Sequence, residues 1–508
     1  MSAPHALCAS RLGWNASAKW RLLHTPNRPS VEEPYRSLGA PKNRGGMPFP
    51  RVVAVIAALV AVGHVGLPPA SGSDLHWVDA AARDCLLGRT AIVTGATRGI
   101  GREVAHMLAG VAGAQTILAC RDVSACQHTA REIQQRSPGA SVECAELDLA
   151  RLTSVEAFAA HFAPRHKGAA PRPVDLIVHN AGVMAVADER TEDGFETTFQ
   201  VNHLAPFFLQ QLLTPSLSAA CSRRSLTSLS FSGTATPRWG NDVRVVWVSS
   251  GLHQLGSIPG RPGVGPRGSQ ETEEDSGRVT GIFGIAFRQR RGLLGRWRAY
   301  ADSKLLNTIT ASEGARRLAA CRAGGEGLSA TPIRSVAVRP GTVATDITRH
   351  SRGAGALIGL LKEMGLARPL DRAARGILHA CTAPLLPDDS SPPAAAAPVS
   401  TEVGYSIYWD DTRAMPAHAS ALDADTTSLV WRDSEKLLRE WRHRVSAFGA
   451  PTDSGSANDV GVLWGYDLSQ AWEGGVFVPR SSREEIDTIQ DAMENEGSSG
   501  PRANKPNR

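Results

Sequence analysis

The sequence has no Cys-x-x-Cys pair and no cysteine–histidine cluster at zinc spacing. Its eight cysteines (Cys8, Cys85, Cys120, Cys126, Cys144, Cys221, Cys321 and Cys381) are scattered. That excludes a zinc module and a metal site of this kind. With no disulfide framework visible, they read as buried thiols of a reducing compartment. No basic stripe with interleaved aromatics occurs, so no nucleic-acid partner is expected. The net charge of +6 is unevenly spread: residues 1–46 hold seven Lys or Arg against Glu32 and Glu33. The rest is near neutral. The main apolar run, residues 52–67, falls short of the about 20 residues that cross a bilayer.

That run follows Arg51 and precedes the small residues Pro68 to Ser73. It reads as a signal-peptide core or marginal anchor, with Met47 as an alternative start. Membrane association through 51–67 or entry to the secretory route, with the endoplasmic reticulum favoured, is the expectation. Residues 1–46 are Arg-rich and acid-poor, so a plastid or mitochondrial transit peptide is the alternative.

From about residue 85 strand and helix signals alternate. Strands are predicted at Arg89–Val93, Thr116–Cys120, about 141–147 and Val174–Val178. Helices are predicted to about Leu108, over 123–136 and near 152–163. Such alternation predicts a parallel sheet covered on both faces. The first strand runs into Thr94-Gly95-Ala96-Thr97-Arg98-Gly99-Ile100-Gly101. Glycines here allow the tight turn and let a helix N-terminus approach a pyrophosphate. Placed between a strand and a helix, the loop marks a Rossmann-type nucleotide site. An acidic residue normally follows about 20 positions later to hold the ribose. Arg121 stands there, and Arg98 lies inside the loop. Two guanidinium groups favour a 2′-phosphate, hence NADP(H). The neighbouring Asp122 keeps NAD(H) as the alternative.

Tyr300 and Lys304 share one helix face. A phenol of pKa about 10 is a poor base near neutrality. A cation one turn away is expected to lower that value, so the pair can pass a proton to or from an alcohol or carbonyl oxygen. Alone, the spacing is weak.

Together with His179-Asn180-Ala181-Gly182, Asn202, Ser249-Ser250 and Pro340-Gly341, these motifs stand in the order of short-chain dehydrogenases/reductases, which the chain resembles from about 84 to 443. Leu147-Asp148-Leu149-Ala150, the stretch Asp193 to Leu204, and Val245 to Ser250 resemble the retinol dehydrogenase and WW-domain-containing oxidoreductase branch. So does the ending from Tyr408-Trp409 to Leu437; no WW domain is present. The resemblance implies Tyr300 as acid/base, with Lys304 as its activator and ribose ligand. Ser250, rather than Ser249, would bind the substrate oxygen, and Asn202 would hold a relay water. Gly95, Thr97, Arg98, Gly99, Ile100, Gly101, Arg121, Asp148, Leu149, Asn180, Ala181 and Gly182 would bind cofactor. Pro340, Gly341 and Thr345 would line its nicotinamide side.

Two departures stand out. His179 replaces the usual first Asn of its motif, and Pro206 could start or kink the helix carrying Asn202. Insertions are expected at about 218–242, 253–298 and 383–401, with 256–278 a disordered loop and 444–508 a largely disordered tail. The expected architecture is α/β: a Rossmann-type doubly wound parallel sheet, one catalytic domain with long loop insertions behind a leader at 1–75. The implied activity is NADP(H)-dependent hydride transfer to or from a lipophilic carbonyl or alcohol, of retinoid, steroid or fatty-aldehyde type. The apolar residues 356–361, in the family's lid region, agree with such a substrate. A homodimer paired through helices is compatible with the family. The alternative is a non-catalytic NADP(H)-binding scaffold or sensor that engages protein partners.

Overall fold

The computed structural model describes residues 75–164, 166, 169–187, 189–230, 240, 242–258, 292–319, 333–343, 367–384 and 408–447. The expected leader, the apolar run 52–67, residues 356–361 and the tail beyond 447 lie outside these residues.

In chain order the elements begin with α1 (His76–Ala82), β1 (Thr90–Thr94), α2 (Gly99–Gly110) and β2 (Gln115–Cys120). Next come α3 (Val123–Arg136), β3 (Val142–Glu146), α4 (Leu152–Ala160) and β4 (Leu176–His179). One turn of helix, α5 (Thr197–Phe199), passes through a wider turn at Gln200–Leu204 into α6 (Ala205–Ser230). Then follow β5 (Val243–Val248), α7 (Gly292–Ala319), β6 (Ile333–Arg339) and α8 (Leu370–Thr382). The ending holds β7 (Tyr408–Asp410), β8 (Arg413–Met415), α9 (Ala419–Leu422) and α10 (Ala424–Ala447).

The eight strands lie in the order β3-β2-β1-β4-β5-β6-β7-β8, all parallel except the β7–β8 pair. This is a doubly wound sheet whose order reverses between β1 and β4. Its central strands are apolar on both faces, as a two-sided burial requires. Ile92, Ile177, Val245 and Trp247 pack in one core with Phe158, Phe207, Trp431 and Trp441. Val93, Val178, Val246 and Val338 pack in the other with Val104, Leu108, Ile377 and Leu378. The sheet thus sits between α4, α6, α7 and α10 on one side and α1, α2, α3 and α8 on the other.

Several boundaries differ from expectation. Helix α1 precedes residue 84 yet belongs to the fold: Val78 and Ala82 are fully buried, and Asp79 pairs with Arg375 at 3.0 Å. Helix α6 runs on to Ser230, into the expected insertion at 218–242. Helix α7 starts at Gly292, inside the insertion expected at 253–298. Gly256 to Ile258, expected at the start of a disordered loop, are packed: a Cβ on Gly256 would meet Leu305 Cβ at 2.8 Å, and Ser257 N–H donates to Asp302 at 2.9 Å. Gly256 and Ser257 are small, and they lead into a stretch rich in Gly, Pro, Arg and Ser, so composition alone suggested a loop.

The reading of eight unpaired thiols also changes. Cys126 and Cys144 form a disulfide, with Cα atoms 6.0 Å apart. Pairing of Leu118 with Cys144 puts β3 beside β2, where the first turn of α3 carries Cys126. That neighbourhood is set by the sheet, and an 18-residue separation conceals it. Among the described residues Cys85, Cys120, Cys221 and Cys381 stand outside any disulfide.

Candidate active site

A cleft of about 770 Å3 opens at the carboxyl ends of β1, β4, β5 and β6, where the strand order reverses. Ligands of doubly wound sheets bind at this crevice. Its walls include Gly95, Thr97, Arg98, Gly99, Ile100, Gly101, Arg121, Asp148, Leu149, Asn180, Ala181, Gly182, Ser250, Tyr300, Lys304, Pro340 and Gly341. Asn202 stands behind the wall, and Thr345 lies outside the described residues.

The glycine loop interlocks with the Asn180–Gly182 turn. Gly95 has φ +67°, and a Cβ there would meet Ala181 Cα at 2.9 Å. A Cβ on Gly101 would meet Asn180 Nδ2 at 2.3 Å and Gly95 O at 2.4 Å. The constraint on Gly101 therefore comes from the protein's own chain, where the spacing suggested a phosphate. Asn180 Nδ2 donates to Thr94 O at 2.9 Å. Thr94 Oγ1 accepts from Asn180 N–H at 3.1 Å and Ala181 N–H at 3.0 Å. Thr94 is thus a site-building residue that sequence reasoning passed over; its place at the strand end was visible, but its two partners were not.

Helix α2 begins at this loop with no side-chain cap. Its first N–H groups are orphan donors, as an incoming pyrophosphate needs. Arg98 and Arg121 are exposed on the same cleft, and neither forms an ion pair among the described residues. Asp122 Oδ1 accepts from Ala125 N–H at 2.9 Å and so caps α3. The cleft's size, the open helix end and the free guanidinium groups together fit a dinucleotide.

At the other end lie the proton-handling groups. Tyr300 is hydrogen-bonded to Ser250, and Lys304 Nζ lies 5.7 Å from the Tyr300 ring centroid. Lys304 Nζ donates to the Val248 carbonyl at 2.8 Å. Burial pushes the Tyr300 phenol up to about 12, and the Ser250 hydrogen bond opposes this. Burial pulls Lys304 down to about 8. The expected lowering of the phenol by its lysine is therefore reversed. Desolvation of a fully enclosed phenol outweighs a cation held against a different oxygen. Both serines line the cleft, but Ser249 Oγ donates to the Lys304 carbonyl at 2.9 Å, which leaves the Ser250 hydroxyl as the one available to a substrate.

Asn202 also differs from expectation. Its Oδ1 accepts from Val183 N–H at 2.8 Å, and its Nδ2 donates to Val183 O at 2.9 Å and Ser303 Oγ at 3.0 Å. Both side-chain donors are committed, so the side chain braces the Gly182–Val183 turn against α7 and holds no relay water with them. Asn202 lies in the wider turn, where Ala205 N–H bonds to Gln200 O. Pro206 has no N–H to return to the Asn202 carbonyl four residues back. Such turns recur at functional sites. The proline stands in the first turn of α6, directly after the wider turn. His179 is buried, its ring 4.3 Å from that of Trp247, and burial drops it to about 3, so it is neutral.

Two further features were not read from the sequence. Trp297, one turn before Tyr300, lines the cleft beside Met184, Val186, Leu252 and Val343. His253 Nδ1 donates to the Ser250 carbonyl at 2.7 Å and so holds the serine turn. Among the described residues no His, Cys, Asp or Glu group could hold a metal ion.

Comparison with known proteins agrees with this geometry. The family model for short chain dehydrogenase matches residues 89–225. Retinol dehydrogenase 12 of Homo sapiens is 33% identical over 266 residues, 52% of this chain and 65% of that protein. Retinol dehydrogenase 11 of Mus musculus is 34% identical over the same length, with the same coverage. Dehydrogenase/reductase SDR family member 13 of Homo sapiens is 34% identical over 273 residues, 53% of this chain and 55% of that protein. The chain thus spans less than two thirds of these relatives' lengths. A crystal structure from Mycobacterium paratuberculosis, 27% identical, covers 70% of this chain and 94% of its own, with a TM-score of 0.44. With its glycine loop and its Ser250–Tyr300–Lys304 group, the chain is similar over residues 89–225 to the short chain dehydrogenase family and, over about half of its length, to retinol dehydrogenases.

Proposed function

We propose that this protein is an NADP(H)-dependent oxidoreductase that moves hydride between the nicotinamide and lipophilic carbonyls or alcohols. The observation that carries this reading is the Ser250–Tyr300–Lys304 group at the end of the dinucleotide-shaped cleft. A bound nicotinamide supplies the hydride; the protein positions and protonates. Ser250 orients the substrate oxygen by a hydrogen bond. Tyr300, protonated at neutrality, gives its proton to the oxygen as negative charge develops there. The Lys304 ammonium is still largely charged below its pKa of about 8 and stabilises the phenolate left behind. Trp297, Met184, Val186, Leu252 and Val343 make that end apolar, in keeping with a retinoid, steroid or fatty aldehyde. The names of the retinol dehydrogenase relatives support the same substrate class.

NADP(H) over NAD(H) is supported by the two unpaired arginines and by Asp122, whose carboxylate is already used to cap α3. A charge-assisted bond to a 2′-phosphate is worth about 1.5–3 kcal/mol.

The test is NADPH oxidation with a panel of lipophilic aldehydes and ketones, using wild type, Tyr300→Phe and Arg121→Asp. Wild type should turn over with NADPH. Tyr300→Phe should lose roughly 10²–10⁴-fold in kcat while still binding NADPH. Arg121→Asp should shift preference toward NADH. An inactive wild type that binds NADPH tightly would instead favour a non-catalytic scaffold.

A further inference from the structure

The Tyr408–Asp410 strand lies far along the chain from the glycine loop and the proton-handling group, yet it ends beside a turn that lines the cleft. It pairs with β6 in the register Arg339 to Asp410, one residue before Pro340. The Asp410 carboxylate receives two guanidinium groups. Arg339 Nη2 donates to its Oδ2 at 2.5 Å, and Arg368 Nη2 donates to its Oδ1 at 3.1 Å. Both arginines grip the turn that lines the cleft. Arg339 leads directly into Pro340. Arg368 N–H donates to the Thr342 carbonyl at 2.7 Å, and Arg368 forms a parallel bridge with Val343.

Gly341 lies between these anchor points with φ +79°. A Cβ there would meet Arg368 Cδ at 2.5 Å and Nε at 2.6 Å. The arginine stem therefore lies against the turn's backbone, in space that a side chain would fill. The carboxylate stays below its ordinary range: burial raises it, but the two arginines outweigh burial. A charged pair held this way resists swinging, because freeing either arginine would leave a half-buried charge short of a partner.

We infer that Asp410 is a positioning residue: through Arg339 and Arg368 it fixes the Pro340–Thr342 turn against which the nicotinamide half of the cofactor packs. The inference rests on the dinucleotide reading above and extends it to a residue that touches neither cofactor nor substrate. The adenosine half binds at the glycine loop and Arg121, on the far side of the cleft, and needs no part of this clamp.

The experiment compares binding of NADPH with that of adenosine 2′,5′-bisphosphate, which has the adenosine half and both phosphates but no nicotinamide. Asp410→Asn keeps the shape but turns one acceptor into a donor facing a guanidinium. It should weaken NADPH roughly 10-fold, equal to about 1.4 kcal/mol, and leave the bisphosphate within about twofold of wild type. Asp410→Glu should recover part of the loss. Arg368→Gln, which leaves Asp410 paired with Arg339, should show the same selectivity and serves if Asp410→Asn does not fold. Equal weakening of both ligands would mean a general structural role and overturn the inference. Unchanged NADPH binding in both variants would overturn it too, with the cofactor reading intact. A wild type that binds neither ligand would overturn the cofactor reading and the clamp together.

Discussion

At the scale of single residues, one cause moves Tyr300 and Lys304 in opposite directions. Enclosure in protein penalises whichever form is charged, so the phenol rises to about 12 and the ammonium falls to about 8. The lysine then titrates close to the working range. Reductive turnover should fall as pH rises through about 8, because the charge that supports the phenolate is lost. Stability should move the other way. The unfolded lysine keeps its proton up to about 10.5, while the folded one releases it from about 8. Between those values the unfolded state binds more protons, so stability rises with pH. The penalty is full below the folded value and gone above the unfolded one. The check is Tm from about pH 7 to 10 for wild type and Lys304→Met, where the removal of Lys304 abolishes the titration. A constant difference in Tm across that range would show that Lys304 is not desolvated. The Tyr300–Lys304 pairing was legible from a four-residue spacing. The direction of the pKa shift was not, because it depends on how deeply the fold encloses both groups.

At the scale of elements, the cleft is held by turns that fit one another. Gly101 lies in the first turn of α2, yet its lack of a side chain serves Asn180, which arrives from the end of β4 and bonds to Thr94. Gly101→Ala should therefore do more than add a methyl group. Contacts of 2.3 and 2.4 Å cannot be relieved without moving the β1 turn or the Asn180 side chain. The expected result is a loss of stability of roughly 1–3 kcal/mol, as for overpacking, and loss of dinucleotide binding. Thermal unfolding with and without NADPH measures both; a variant that kept its Tm and its NADPH-induced stabilisation would refute the interlock. Element identity was readable because glycine punctuation and β-branched runs are local signals. Helix α3 spans 123–136 as expected, and the first strands fall within one or two residues of their expected ends. Longer elements differ from expectation where the sequence is polar or rich in small residues. Helix α6 continues through Ser/Arg-rich sequence, and Gly256–Ile258 tuck under α7.

At the scale of the whole molecule, α10 closes one face of the sheet. Trp431 packs on Phe207 with ring centroids 4.9 Å apart, and Trp441 Nε1 donates to Asp193 at 2.9 Å. No described helix is long and apolar enough to cross a membrane. Targeting therefore rests on the apolar run 52–67, which lies outside the described residues. Residues 47–75 fused to a fluorescent protein should carry it to membranes or the secretory route. A diffuse reporter would remove that expectation, and targeting by residues 1–46 alone would favour an organellar transit peptide. The sequence by itself determined the parallel α/β class, the glycine-rich turn after β1 and the helical spacing of Tyr300 and Lys304, because strand alternation, glycine turns and a helical repeat are encoded by near neighbours. Only the tertiary structure decided the Cys126–Cys144 bond, the bracing role of Asn202, the Trp297 wall and the meeting of Arg339 and Arg368 on Asp410. Each joins residues far apart in the chain, and such contacts exist only once the sheet has fixed which strands are neighbours and which side chains lose their water.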